Sequence, residues 1–138
     1  MASLVYNSAI YDVVRGPIDF DTDTFKVMLV TSAYTPSQDN HDKRDDVTNE
    51  VTGTGYTAGG VTTACTVTQD NANDRVTLSF ASASWATSTI TARGAVIYKS
   101  RGGAASADNL VCYIDFGADV TSTAATFTLG SSTITLQN

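Results

Sequence analysis

The chain has 138 residues, of which 42% are hydrophobic and only 16% charged, with a net charge of −6. That length suffices for one domain with a real core, and the acidic balance excludes the basic footprint that a nucleic-acid binder needs. No window approaches the roughly 20 apolar residues that cross a bilayer as a helix, so neither nucleic acid nor membrane is an expected partner.

The N-terminus, MASLVYNSAIYDVVRG, has neither the basic start nor the long apolar stretch of a secretory signal. Synthesis in a reducing cytosol is the expectation. Leu4 to Tyr6 can begin a strand. Asn7 then fits an N-cap for a short helix, SAIYDVVR, closed by Gly16 with Pro17 beyond it. Ile10, Val13 and Val14, at i, i+3 and i+4, give it one apolar face. TFKVMLVTS follows as the clearest early strand. Phe25, Val27 and Leu29 share one parity and Met28 and Val30 the other, which predicts cover on both faces.

Residues 37–60 contain no strand-like run of useful length. HDKRDDV has the spacing for one or two helical turns, with Lys43 and Asp46 at i, i+3. GTGYTAGG reads as a long exposed loop whose glycines allow positive φ. Strand signals then persist to the end. VTTACTVTQ and RVTLSF flank the turn DNAND. SASW, STITARG and AVIYKS follow, the last two broken at Gly94, then LVCYIDF, ATFTLG and STITLQN. Seven or eight short strands at this spacing, without crossover helices, predict one all-β domain over 1–138, a sandwich or a barrel, with one short N-terminal helix; the expectation for the whole chain is an antiparallel sandwich of about eight strands.

Candidate chemistry is thin. His41 is the only histidine, so a Ser-His-Asp or Cys-His arrangement must use it, yet it sits among Asp39, Asp42 and Lys43 in a segment that reads as solvated. Asp19, Asp21 and Asp23 resemble the first half of a calcium loop. Counting from Asp19, however, Thr24 and Val30 stand where such a loop needs Gly and Glu. The glycines of GTGYTAGG miss the dinucleotide spacing by one residue and precede no helix. No cofactor or metal is expected, and no catalytic residue stands out. Cys65 and Cys112 each lie in an apolar strand-like run and read as small buried thiols rather than a disulfide. Trp85, in SASWATS, reads as a core aromatic more readily than as a carbohydrate platform.

The blocks YNSAIYDVVRGPIDFDTDTFKVMLV, HDKRDDVTNEVTGTGYTAGG, SASWATSTITARGAVIYKS and LVCYIDFG cover nearly the whole chain. It resembles the small structural proteins of tailed bacteriophages, and most of all the capsid decoration, or cement, proteins of short-tailed phages. That resemblance implies a jelly-roll-like sandwich and a non-enzymatic virion protein, made in the host bacterial cytoplasm and bound on the capsid exterior. It implies the major capsid protein as partner. Small sandwiches also leave strand edges open, and a homo-oligomer, with a dimer the simplest form, is expected on that ground. In this setting residues 41–60 read as a loop that orders against a neighbour, with His41, Lys43, Arg44 and Tyr56 as the partner-binding residues. Tyr56 supplies contact area and the charges set orientation. The rival readings are a tail, neck or fibre component of the same particle, and a carbohydrate-binding attachment module.

Overall fold

A computed structural model of the chain describes residues 2–138. Along it run β1 (Leu4–Val5), α1 (Asn7–Arg15), β2 (Phe25–Val30), β3 (Val61–Thr63), β4 (Cys65–Asp70), β5 (Arg75–Phe80), β6 (Ala83–Lys99), β7 (Leu110–Leu129) and β8 (Ser132–Gln137). Every strand pairing is antiparallel. One sheet has the order β1-β7-β6-β2-β3 and the other β4-β5-β8. The architecture is an all-β sandwich of eight strands with one short helix, the expected one of the two forms that the strand spacing allows.

The chain passes between the sheets at three corners. VTTACTVTQ, read above as one strand, bends at Ala64, so that β3 ends the large sheet and β4 begins the small one. The second corner, between β5 and β6, is tied to the first. Ala81 N–H donates to Ala64 O at 2.9 Å, and Thr63 Oγ1 donates to Ala81 O at 2.8 Å. The third corner, at Gly130–Ser131, leads from β7 to β8. DNAND forms the expected hairpin turn, pinned by Asp70 and Arg75 at 3.0 Å.

Gly94 does not end a strand. β6 runs through it with a register shift against β7 between Ala92 and Gly94. A Cβ there would stand 2.6 Å from the Tyr113 ring, so the missing side chain makes room for an aromatic across the strand. β7 likewise joins LVCYIDF and ATFTLG into one 20-residue strand.

Around β2 the large sheet is buried on both faces, as the two apolar parities of that strand require. Phe25, Val27 and Leu29 face the small sheet and pack with Leu78, Phe80 and Trp85. Met28 and Val30 join Tyr6, Tyr34, Val96 and Tyr98 in a second core on the opposite face. No sheet covers this second core. The connection from Thr31 to Gly60 crosses that side instead, bridging Val30 to Glu50 and Lys43 to Asn109.

Candidate interaction surface

The four residues expected to bind a partner are held by their own domain. Tyr56 packs against the main core with its ring 6.0 Å from Trp85. Its hydroxyl accepts from Leu29 N–H at 3.0 Å and donates to Glu50 Oε1 at 2.7 Å. Burial above all, with the Glu50 carboxylate adding to it, pushes its phenol far above the ordinary range. Glu50 also accepts from Gly59 N–H at 2.6 Å. Gly60, at φ +75°, lies so close to β2 that a Cβ would meet Val27 O.

The charged half of the segment is anchored in the same way. Arg44 Nε stands 2.8 Å from Asp108 Oδ2, a carboxylate only 1% exposed, and its guanidinium lies 5.2 Å from the Tyr98 ring centre. Lys43 has its N–H on Asp46 and its Nζ 3.1 Å from Asp42. Of the helical turns expected here, only a single 3₁₀ turn forms, at Arg44–Asp46. His41 is half-buried and stacks on Tyr34; its Nδ1 is 3.0 Å from the Tyr34 hydroxyl and 3.3 Å from Ser37 N. The Tyr34 hydroxyl in turn meets that of Tyr6 at 2.8 Å.

The segment expected to stand free of the domain is thus packed along it. A connection this long carries many backbone polar groups and lies over an apolar face. Its anchors satisfy those groups and keep water from Met28, Val30 and Tyr98.

The other sequence candidates are also absorbed into the fold. Asp23 Oδ2 accepts from Asp19 N–H at 2.7 Å and pairs with Lys99 Nζ at 2.8 Å, while Asp19 Oδ1 accepts from Asp21 N–H at 2.9 Å. DFDTD is thus a self-capped turn, and no group of three metal-ligating side chains comes together among the described residues. Cys112 is buried and Cys65 half-buried; both are free thiols, and burial pushes them up to about 12 and about 11 respectively. Trp85 is a core residue, 3% exposed, wedged between Tyr56 and Phe127.

One region departs from this economy. Of Ile10, Val13 and Val14, only Val13 packs against the main core. The buried residues of helix α1 are Ala9 and Asp12. Asp12 Oδ2 accepts from the buried Asn109 Nδ2 at 2.8 Å, and the small Ala9 lets the helix approach the sheet. Asn7 is the first helical residue rather than the cap, and its side-chain amide donates to Asp39 at 2.7 Å. Gly16 closes the helix in the left-handed conformation, as expected. The helix is thus held by Ala9, Asp12 and Val13, which leaves Ile10 49% and Val14 82% exposed.

Those side chains overlook an apolar cleft of about 130 Å³. Ile10, Val13 and Val14 form one wall, and Leu78 of β5 with Ile134 and Leu136 of β8 form the other. An adjoining hollow shares Val13, Phe20, Leu78 and Leu136 with it and carries Val67, Val76, Asp19 and Asp21. Leu136 and Val67 are further large apolar side chains left exposed here. Scattered exposed apolar residues are normal, but several around one cleft mark a contact surface. Two other hollows, at Asn71, Asp74 and Arg75 and at Thr31, Glu50 and Thr89, are open and polar. The cleft was not legible in the sequence, because the helical period identifies an apolar stripe but not whether the fold turns it inward.

Against family models, curated proteins and solved structures, the chain matches none.

Proposed function

We propose that this protein is a non-enzymatic structural component of a bacteriophage virion that decorates and cements the capsid by binding the major capsid protein. The observation that carries the reading is the exposed apolar cleft between α1 and the small sheet, on a chain whose candidate reactive side chains are committed to its own fold. A protein built to hold another needs a rigid body and an apolar surface that it does not bury itself. The phage resemblance of the sequence blocks supplies the partner class. The open edges of β4 and of the outer half of β7 leave room for twofold self-association, so a homodimer bridging neighbouring capsomers belongs to the same proposal.

The test is add-back. Purified protein is mixed with shells that lack it, and occupancy and survival of the shells on heating are measured. Binding in fixed proportion to the shell protein, with later rupture on heating, is the expected result. Density for this chain at the portal or along the tail in a particle reconstruction, with none over the shell, overturns the capsid placement.

A further inference from the structure

The small sheet stops at β8, beside the helix wall of the cleft. We infer that β8 is the acceptor edge for an extended segment of a partner protein, which adds as a fourth strand and sets alternate apolar side chains into the α1–β8 cleft. This goes beyond the virion reading, because it holds whichever protein supplies the strand.

The first ground is the backbone. Asn138 N–H donates to Asp74 O at 3.2 Å, continuing the β5–β8 register of Val76 with Leu136 and Leu78 with Ile134. Backbone groups alternate sides along an antiparallel strand, so Ser132, Ile134 and Leu136 point theirs at β5. The N–H and C=O groups of Thr133, Thr135 and Gln137 therefore face the open edge, and among the described residues no strand pairs with them. The second ground is the edge's chemistry. STITLQ contains no Lys, no Pro and no charge, and its pairing with β5 has no register shift. The usual devices that protect an edge from pairing are missing. Thirdly, Ile134 and Leu136 line the cleft, so a strand added in register turns every second side chain into an apolar space.

The occupant is a single extended segment rather than a second copy. A second copy brings another −6 of net charge, and Asp19 and Asp21 already stand beside the cleft. One strand with apolar residues at alternate positions, and Lys or Arg rather than Asp or Glu among the rest, turns that repulsion into attraction. Six residues of β8 offer it about 20 Å of edge.

The chain itself supplies the assay, since β8 ends at Gln137 and a strand can be joined to it through Asn138. Extending it after Asn138 with Gly-Thr-Val-Thr-Val-Thr creates an Asn-Gly turn and a strand whose valines face the cleft. Gly-Val-Thr-Val-Thr-Thr has the same composition with the valines facing away. The in-phase extension is expected to raise Tm by about 5 °C or more. It should also slow amide exchange at Thr133, Thr135 and Gln137 at least about tenfold, whereas the reversed extension does neither. Thr135→Pro in the in-phase chain removes one edge-facing N–H without touching the ladder to β5, and should cancel the gain. Equal effects of the two extensions, no effect of either, or a gain that survives Thr135→Pro overturns the inference. A dimer of the unextended chain that Leu136→Lys dissolves in sedimentation also overturns it, in favour of a second copy. The assay uses the isolated chain, so its outcome is independent of capsid attachment.

Discussion

Replacing Tyr56 tests whether residues 41–60 are a cover or a grip. A contact residue reserved for a partner is nearly neutral in the free protein; a ring packed on the core is not. Tyr56→Phe removes only the hydroxyl. It leaves the Leu29 N–H without its acceptor, inside a residue with no exposure, and the Glu50 carboxylate without one of its two donors. Stranding buried polar groups costs about 1–3 kcal/mol. Tyr56→Ala also deletes the ring between the loop and Trp85. Truncating a buried aromatic costs about 3–5 kcal/mol, and because Tyr56 is only half-buried the lower end applies, so ring and hydroxyl together come to about 4–6 kcal/mol. At this chain length each kcal/mol moves Tm by roughly 3–5 °C. The expected drops are therefore about 3–15 °C for Tyr56→Phe and about 12–30 °C for Tyr56→Ala, read by calorimetry on the free protein. An alanine variant that melts within about 2 °C of the wild type, beyond which even surface changes rarely reach, would refute the packing argument and return the loop to the role of a grip.

Three further outcomes follow from local geometry. Gly60→Ala must place a Cβ against Val27 O at φ +75°, and should lower stability by about 3 kcal/mol or more or prevent folding, seen in expression and melting. Cys65 and Cys112, whose thiols burial has pushed up, should react with an aromatic disulfide reagent at pH 8 only slowly in the native state and both at once after denaturation. Asp115 is held down to about 2, first by its hydrogen bond from Arg93 and then by the Gly117 N–H. Its folded value lies below its unfolded one, so its contribution is present above about pH 4 and is lost as pH falls toward 2. Arg93→Ala should raise the Asp115 midpoint in an NMR titration and flatten acid unfolding in that window.

What was legible in the sequence was whatever one element states about its own environment. β2 shows two apolar parities, and it is covered on both faces. DNAND carries the turn residues and makes the turn. What escaped depends on meetings between distant segments. Nothing in VTTACTVTQ marks the corner at Ala64, because a strand that changes sheets keeps its β-branched composition throughout. Gly94 read as a break because the ring it accommodates, that of Tyr113, lies nineteen positions along the chain. The loop read as exposed because its anchors, Asp108, Tyr98 and Trp85, come far later than Arg44 and Tyr56. One clue was available: Met28, Val30 and Val96 needed a cover, and residues 31–60 were the longest stretch without a strand to supply one.

The orientation of α1 joins the fold to the function. A helix with an apolar stripe ordinarily turns it inward, since each buried aliphatic side chain contributes about 1.5–3 kcal/mol. Here Asp12 and Ala9 face the sheet and Ile10 and Val14 face out. The inward side is fixed by the Asp12–Asn109 hydrogen bond, and Asn109 is in turn held by Arg101 at 3.1 Å. If the outward stripe serves a partner, the free fold must be indifferent to it and dependent on Asp12. Ile10→Ser with Val14→Ser should change the unfolding free energy by no more than about 0.5 kcal/mol each, the range of surface substitutions. Asp12→Ala strands the buried Asn109 amide and should cost about 1–3 kcal/mol. Urea unfolding of the two variants decides. If the double serine change destabilises more than Asp12→Ala, the stripe belongs to the core of the free protein, and the cleft is closed by the helix itself. If the order is as expected, α1 is a wall built for something else to pack against.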